Sequence, residues 1–408
     1  MLHPGWHNIS IVLASDDHPE SFSSLPPGPA NPVSGIKRNI AANYLGSGWT
    51  ALMAVMFIPF YIKLMGAEAY GIVGIFVSIQ AIFAILDLGL SQTLNRELSR
   101  LSVNHENAGM MADTARTLEI IYWVIALIIA AAIMLASELI ALYWLNPEQL
   151  TLETVTRALW VMAVVIGLRW PVALYMGGMN GLQRQVSVNI LLAVFATLQG
   201  AGSLAVLFFI EPTLGAFFSW QALTALLQVI SFRIVFWRCL AATRAGAFQP
   251  GVLKEIWRFA AGVSGITILA TILTQLDKIL LSKLLTLSEF GYYAFAASVA
   301  GILYRLISPV FTAYYPRLTE QVANNAVAAT TGNYHRGSQL MSVAVLPLAV
   351  TLALFSREIL ELWTADPDIV RHTHLLVSLL VIGNALNGLM HMPYALQLAH
   401  GWTRLAFY

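Results

Sequence analysis

The sequence predicts an all-α, polytopic membrane protein of two repeated six-helix bundles, the second truncated after four helices. Three observations predict it. First, 58% of the residues are hydrophobic, 11% are charged and mean hydropathy is +0.71, where a soluble domain carries roughly 25% charge. Second, ten apolar runs each approach the ~20 residues that a helix needs to cross hydrocarbon. The period-two alternation of barrel strands is missing, so helices are the reading. Third, Lys63-Leu64-Met65-Gly66-Ala67-Glu68-Ala69-Tyr70-Gly71 recurs 220 residues later as Lys283-Leu284-Leu285-Thr286-Leu287-Ser288-Glu289-Phe290-Gly291. At that same offset Ile36 and Arg38 pair with Ile256 and Arg258, and Gly181 and Arg184 with Gly401 and Arg404. A repeat that keeps register in three places points to a duplicated bundle, an architecture of transporters with the pathway between two halves.

The runs follow in order. The first, 40–62, starts after Lys37-Arg38 and ends at the polar break around Lys63. The second, 69–92, begins beyond that break and carries Asp87. The third covers 117–145, and the fourth, 157–178, contains Arg169-Trp170-Pro171. Runs 187–210 and 213–236 complete the first unit. The second unit opens with 258–281, holding Asp277-Lys278 towards its far end. It continues with 291–315, which holds Arg305 and Pro309, then 339–362 and 373–397. The expected division is a tail at 1–35, a first bundle at 36–255 and a second at 256–408. By the 220-residue offset Tyr408 maps onto Val188, early in a unit's fifth helix, so two helices of the second unit are absent. Either the sequence is a piece of a longer one, or ten helices and a stub suffice. Residues 1–35, with Asp16-Asp17 and Pro26-Pro27-Gly28-Pro29, read as a disordered cytoplasmic tail, or as a start assigned too early. Ile9–Ala14 is too short for a signal-peptide core.

Basic residues set the orientation. With the N-terminus cytoplasmic, thirteen lysines and arginines from Lys37 to Arg404 fall inside, against Lys63, Arg157, Lys283, Arg357 and Arg371 outside. That is the positive-inside pattern. The net charge of +1 averages two opposed faces. No basic stripe with interleaved aromatics supports nucleic-acid binding. The single cysteine, Cys239, excludes a disulfide framework within the chain.

Two blocks carry a resemblance. Residues Pro59 to Gly71, then Leu86-Asp87-Leu88-Gly89-Leu90, Thr93 and Arg96, resemble the amino-terminal block of polysaccharide flippases. These are the O-antigen and capsule exporters of the multidrug/oligosaccharidyl-lipid/polysaccharide superfamily. Gln275 to Leu281, Glu289 to Tyr293 and Tyr315-Pro316 resemble the block that opens their second half. The resemblance spans about 36 to 408 and implies twelve or more helices in two bundles around a cavity, with alternating access. It also implies a polyprenyl-pyrophosphate-linked oligosaccharide as cargo, a bacterial inner-membrane location and glycan polymerase machinery as a further partner. The absent final pair of helices is the departure from that pattern.

Such a cargo needs cations, because bare pyrophosphate is costly to hold in hydrocarbon, and arginine's planar fork bonds two phosphate oxygens together. Arg169, mid-helix beside Pro171, and Arg305, mid-helix before Pro309, are the substrate-binding candidates; a structural ion pair is the alternative for each. Arg38, Arg96 and Arg258 sit at the cytoplasmic mouth, where they attract an anionic head group or simply anchor the helices. Asp87 and Asp277 are candidates for a coupling ion or an ion pair; Asp87 could also cap the chain at Gly89. The two Lys-Leu…Gly motifs read as structural turns, with Gly71 and Gly291 suited to a tight connection or a helix start. His372-x-His374 lacks a positioned third ligand, so no metal is expected. No phosphate-binding glycine loop, nucleotide motif or nucleophile elbow implies a cofactor or an enzyme. The rivals are a drug or cation antiporter of the same superfamily, a membrane-embedded glycan polymerase or ligase, and an inert truncated product or assembly scaffold.

Overall fold

A computed structural model describes residues 32–102, 107–240, 246–251 and 272–400. The leader at 1–31, Arg258 and the stretch after 400 lie outside the described residues, as does the side chain of Arg38. Every regular element among them is helical. This follows from the solvent: in hydrocarbon each backbone N–H and C=O must be satisfied within the chain, and a helix does this locally. Nine helices or helix pairs among the described residues are long and apolar enough to cross a membrane. The expected seventh run, 258–281, falls mostly outside them; its visible end is a helix at 272–284.

The first run forms α1 (Pro32–Met56) and α2 (Ile58–Met65), so α1 begins a turn before the boundary expected at 36. Gly66, at φ 90°, joins α2 to α3 (Ala67–Phe83). A 3-10 turn at Ala84–Asp87 and left-handed backbone at Leu88 and Gly89 separate α3 from α4 (Leu90–Leu101). The sequence suggested one continuous helix over 69–92; instead the run breaks where Gly89 accepts a positive φ without a Cβ clash. The rest of the first unit is α5 (Ala108–Leu139), α6 (Leu152–Arg169), α7 (Val172–Gly181), α8 (Gln185–Phe209) and α9 (Leu214–Leu240). Pro171 is the N-cap of α7, which explains why the fourth run divides directly after Arg169.

Then come α10 (272–284), α11 (Leu287–Ala300), α12 (Tyr304–Ala323), α13 (Val327–Leu354), α14 (Ser356–Thr364), α15 (Pro367–Leu389) and α16 (His391–Ala399). The Thr286–Glu289 capping box satisfies the first amides of α11. Within α1–α9 the main packings are α1 on α8, α6 on α5 and α9, and α4 on α7. Within α11–α16, α15 packs on α11 and α13, and α12 on α13 and α16. The large contact between the two sets is α3 against α11.

That contact explains the repeated motif. A Cβ on Gly71 would collide with the carbonyl oxygen of Leu287, and a Cβ on Gly291 with that of Ala67. Both collisions involve backbone, and the pairs Gly71/Gly291 and Ala67/Leu287 share the 220-residue offset of the sequence. The glycines therefore lie inside the first turns of α3 and α11, not in the connections, and let two backbones touch. Further bonds join the sets at this same end, called here the Gly66 end. Asn146 Nδ2 donates to the carbonyls of Lys283 (3.0 Å) and Leu285 (3.3 Å), and Leu287 N donates to the Asn146 carbonyl (3.2 Å). Trp144 Nε1 donates to Ser282 Oγ at 3.0 Å, and Lys283 Nζ donates to the Tyr143 carbonyl. Beside them the Glu68 carboxylate gathers the amides of Glu148, Gln149 and Leu150.

Candidate functional site

Arg169 closes α6, and the break at Pro171 leaves it deep among helices with part of its surface still accessible. One guanidinium nitrogen, Nη2, donates to Gln221 Oε1 on α9, and Gln221 Nε2 donates a hydrogen bond to Ser203 Oγ on α8 at 2.9 Å. The guanidinium carbon stands 5.5 Å from the centre of the Phe76 ring on α3, and Phe76 meets Phe218 edge-on at 5.6 Å. Nε is buried and bonds to nothing. Among the described residues no carboxylate comes within ion-pair distance of Arg169. Among these residues its bonded partner is the Gln221 amide oxygen and not a carboxylate. A cation in this setting is expensive to keep. What it offers is a fork with unused donors against an aromatic wall, suited to an anion with several oxygens.

Asp87 ends the 3-10 turn that follows α3. Among the described residues it pairs with no arginine: its two oxygens accept from the Tyr122 hydroxyl and from Ser91 Oγ (2.8 Å). Tyr122 leans on Trp170, ring centres 4.4 Å apart, and Trp170 Nε1 donates to the Phe83 carbonyl at 3.3 Å. The break in the second span and the break in the fourth are thus packed together, with Asp87 on one side and Arg169 on the other.

Asp277 lies exposed on α10 and accepts from the buried Tyr293 hydroxyl. Among the described residues Lys278 bonds to Gln275 Oε1, at 3.3 Å, and lines an apolar cleft of about 310 Å³ between α3, the turn after α5 and α10 with Ile75, Ile82 and Trp144. Arg305 is exposed on α12 without an ion pair among the described residues, and Arg96 is exposed on α4. Arg169 and Arg305 lie in different helix sets and share no partner. His372 stacks on Tyr292 with centres 4.6 Å apart, and the described residues contain no metal-type cluster.

A highly connected charge among the described residues is Glu119 on α5, which the sequence reading passed over. Its side chain is 2% exposed and accepts four hydrogen bonds. They come from Arg116 (2.6 Å), the Tyr175 hydroxyl (2.8 Å), Arg233 Nε (2.8 Å) and Trp237 Nε1 (3.2 Å), which ties α5 to α7 and α9. Arg116 and Arg233 stay 40% and 48% exposed, so this end carries two accessible guanidiniums for one carboxylate. A signal was present: Glu119 and Arg233 are opposite charges, each inside an apolar run.

The sequence profile of a family described as "Polysaccharide biosynthesis protein" matches residues 36–322. A Shigella flexneri protein named "Putative O-antigen transporter" is 21% identical over 374 residues, covering 91% of this chain and 86% of that protein. Among solved structures, an inward-facing multidrug-resistance transporter of the MATE family, MOP superfamily, superposes with a TM-score of 0.69 at 14% identity. The match covers 86% of this chain and 81% of the other. An outward-facing structure of a transporter of that family gives 0.57 at 15% identity, covering 91% and 83%. These likenesses show the fold.

Proposed function

Because the chain belongs to the polysaccharide biosynthesis protein family, and is similar to a protein named as an O-antigen transporter, we propose that it is a transporter and not an enzyme, and that it flips a polyprenyl-pyrophosphate-linked oligosaccharide across a bacterial inner membrane. The observation that carries this reading is Arg169: a cation inside the bundle with no carboxylate partner among the described residues, an unbonded buried Nε and an aromatic wall. A pyrophosphate fits those donors; a cationic drug is repelled by them. The carboxylate an antiporter would use at this depth, Asp87, is occupied by Tyr122 and Ser91.

We take 36–255 and 256–408 as the two bundles and the N-terminus as cytoplasmic, which the distribution of basic residues supports. The Gly66 end then faces the periplasm. Its bonds between Asn146 and residues 283–287 hold that side shut, so Arg169 is loaded from the cytoplasmic side. Arg96, Arg116 and Arg233 would draw the anionic head group towards that entrance, and glycan polymerase machinery would receive the cargo outside.

The test is disruption of the gene followed by mass spectrometry of the polyprenyl lipid fraction. A lipid-linked glycan that accumulates and is cleared by the wild-type gene, but not by Arg169→Gln, is the expected result. No accumulation, with changed sensitivity to cationic drugs, would replace the reading with an antiporter.

A further inference from the structure

One helix face in the second set is polar where its neighbours are apolar. On α12, Arg305, Ser308 and Thr312 are exposed and Tyr315 half-exposed, at helical spacings of three and four. Along α15 and α16, Asn384, Asn387, His391 and Tyr394 fall on a second stripe of the same kind. Side chains knit the stripes into one surface. The Tyr304 hydroxyl, on a residue 42% exposed, reaches Asn384 Oδ1 (3.4 Å) and Asn387 Oδ1 (3.5 Å). Phe311 lies near-parallel to Tyr315 and Tyr394, at 5.6 and 6.1 Å, and meets His391 edge-on at 5.9 Å. Each stripe covers eleven residues, or roughly 15 Å of helix.

The chemistry of this face is specific. Residues 304–319 and 369–400 contain no Asp or Glu. Asn384 and Asn387 offer amides that both donate and accept. His391 Nδ1 donates to the Asn387 carbonyl at 3.0 Å, which leaves Nε2 as the ring's second polar atom. The aromatic rings supply flat apolar faces with polar edges. Placed against lipid, this many polar groups would be costly; on a wet cavity wall they cost little. Alternating hydroxyl-binding amides and flat apolar faces match a sugar ring, which is ringed by hydroxyls and apolar across its C–H faces. The absence of carboxylates speaks against a cationic occupant.

We propose that this face of α12, α15 and α16 is the surface on which the neutral glycan portion of the cargo rests, apart from the Arg169 site that holds its pyrophosphate. The assignment rests on the flippase reading and adds a location and a division of labour: charge is read in the first helix set, sugar in the second. Arg305, at one end of the stripe, meets the glycan where it approaches the phosphate.

The test uses the full chain in nanodiscs with two probes: inorganic pyrophosphate, and the free oligosaccharide released by mild acid from the host's polyprenyl-linked pool. Phe311→Ala and Asn387→Ala are expected to weaken oligosaccharide binding at least tenfold, read by saturation-transfer NMR, and to leave pyrophosphate binding unchanged. Arg169→Gln is expected to do the reverse. A second measurement needs no ligand. Ser308→Cys, in a Cys239→Ser background, is expected to react with a membrane-impermeant thiol reagent applied to the cytoplasmic side of inverted vesicles. An unreactive thiol would place lipid or another helix on this face and overturn the proposal, as would oligosaccharide binding equal in wild type and variants, or none in the wild type. The two readings fail separately. If the disrupted strain accumulates a lipid-linked glycan and the wall variants clear it at the wild-type rate, the wall is wrong and the flippase stands. If nothing accumulates, the flippase reading itself falls.

Discussion

Substituting alanine at Gly71 tests the contact on which the two helix sets meet. The new methyl would occupy the position of the Leu287 carbonyl oxygen, and because that atom is backbone no side-chain rotation can relieve the collision. Helices α3 and α11 must separate, and overpacking of this kind costs about 1–3 kcal/mol. Alanine in place of glycine within a helix returns about 0.5–1 kcal/mol. Since the clash is with backbone, the upper part of the first range applies, and the net destabilisation is about 1–2 kcal/mol. Gly291→Ala meets the Ala67 carbonyl in the same way and should cost the same. The informative variant is the double substitution. Once the helices have parted for one methyl, the second enters space already opened, so the pair should fall short of additivity by about 1 kcal/mol, beyond the ~0.3–0.5 kcal/mol scatter of independent sites. Chemical unfolding of the four proteins in detergent measures this, with Gly332→Ala as control. No neighbouring atom lies within 4 Å of a Cβ at Gly332 in α13, so that variant should gain stability. If Gly71→Ala and Gly291→Ala also gained stability, or if their costs simply added, the reciprocal backbone contact would be wrong.

Three further outcomes follow from the same geometry. Arg169→Gln keeps a donor for Gln221 and removes the charge. Loss of a charge-assisted bond worth about 1.5–3 kcal/mol should weaken pyrophosphate binding about 10- to 100-fold. Unfolding stability should stay the same or rise, because a buried cation has gone, and calorimetry with denaturation separates the two effects. Glu119→Gln removes the negative charge from between two arginines and turns an amide donor towards other donors. The expected loss is about 1–3 kcal/mol, below the 3–5 kcal/mol of a fully buried pair, since both arginines keep contact with water. Unchanged unfolding would show that the cluster holds nothing together. Asn146→Ala deletes two bonds across the Gly66 end, shifting the equilibrium towards opening there by about 1–2 kcal/mol. Labelling of a cysteine placed at Ser78, in a Cys239→Ser background, by a reagent confined to that side should rise; unaltered labelling would mean that Asn146 is not part of the closure.

The helical spans among the described residues were legible because hydrocarbon imposes length and apolarity on each of them, and the sequence displays both directly. Arg169 was legible for the same reason: a charge inside such a run advertises itself. The partners were not. That Asp87 meets Tyr122 and Ser91, that Arg169 meets Gln221, and that Asp277 meets Tyr293 depends on which helices are neighbours. The repeated motif showed two equivalent places but not that they touch, since Gly71 and Gly291 read equally well as connections. Glu119 was visible yet went unweighed beside Arg116 at the end of its run, and its bond to Arg233 spans 114 residues. The polar stripe on α12 is clear in retrospect as a three-and-four spacing, but only packing against α16 shows that it continues onto a second helix.

The interruption between α3 and α4 has a mechanical meaning. Helix α3 is clasped to the second helix set through α11, whereas α4 is clasped to α7 of the first. An unbroken rod would transmit any swing of one set directly into the other. With left-handed backbone at Leu88 and Gly89 the span becomes two levers on a pivot, so the upper lever can follow its partner while the lower stays with its own. Asp87 sits on that pivot, bonded to Tyr122 across the joint and to Ser91 one turn into the lower lever. The bend between the levers is thereby braced by the bonds of Asp87 together with the Trp170–Phe83 bond and the Tyr122–Trp170 ring contact beside them.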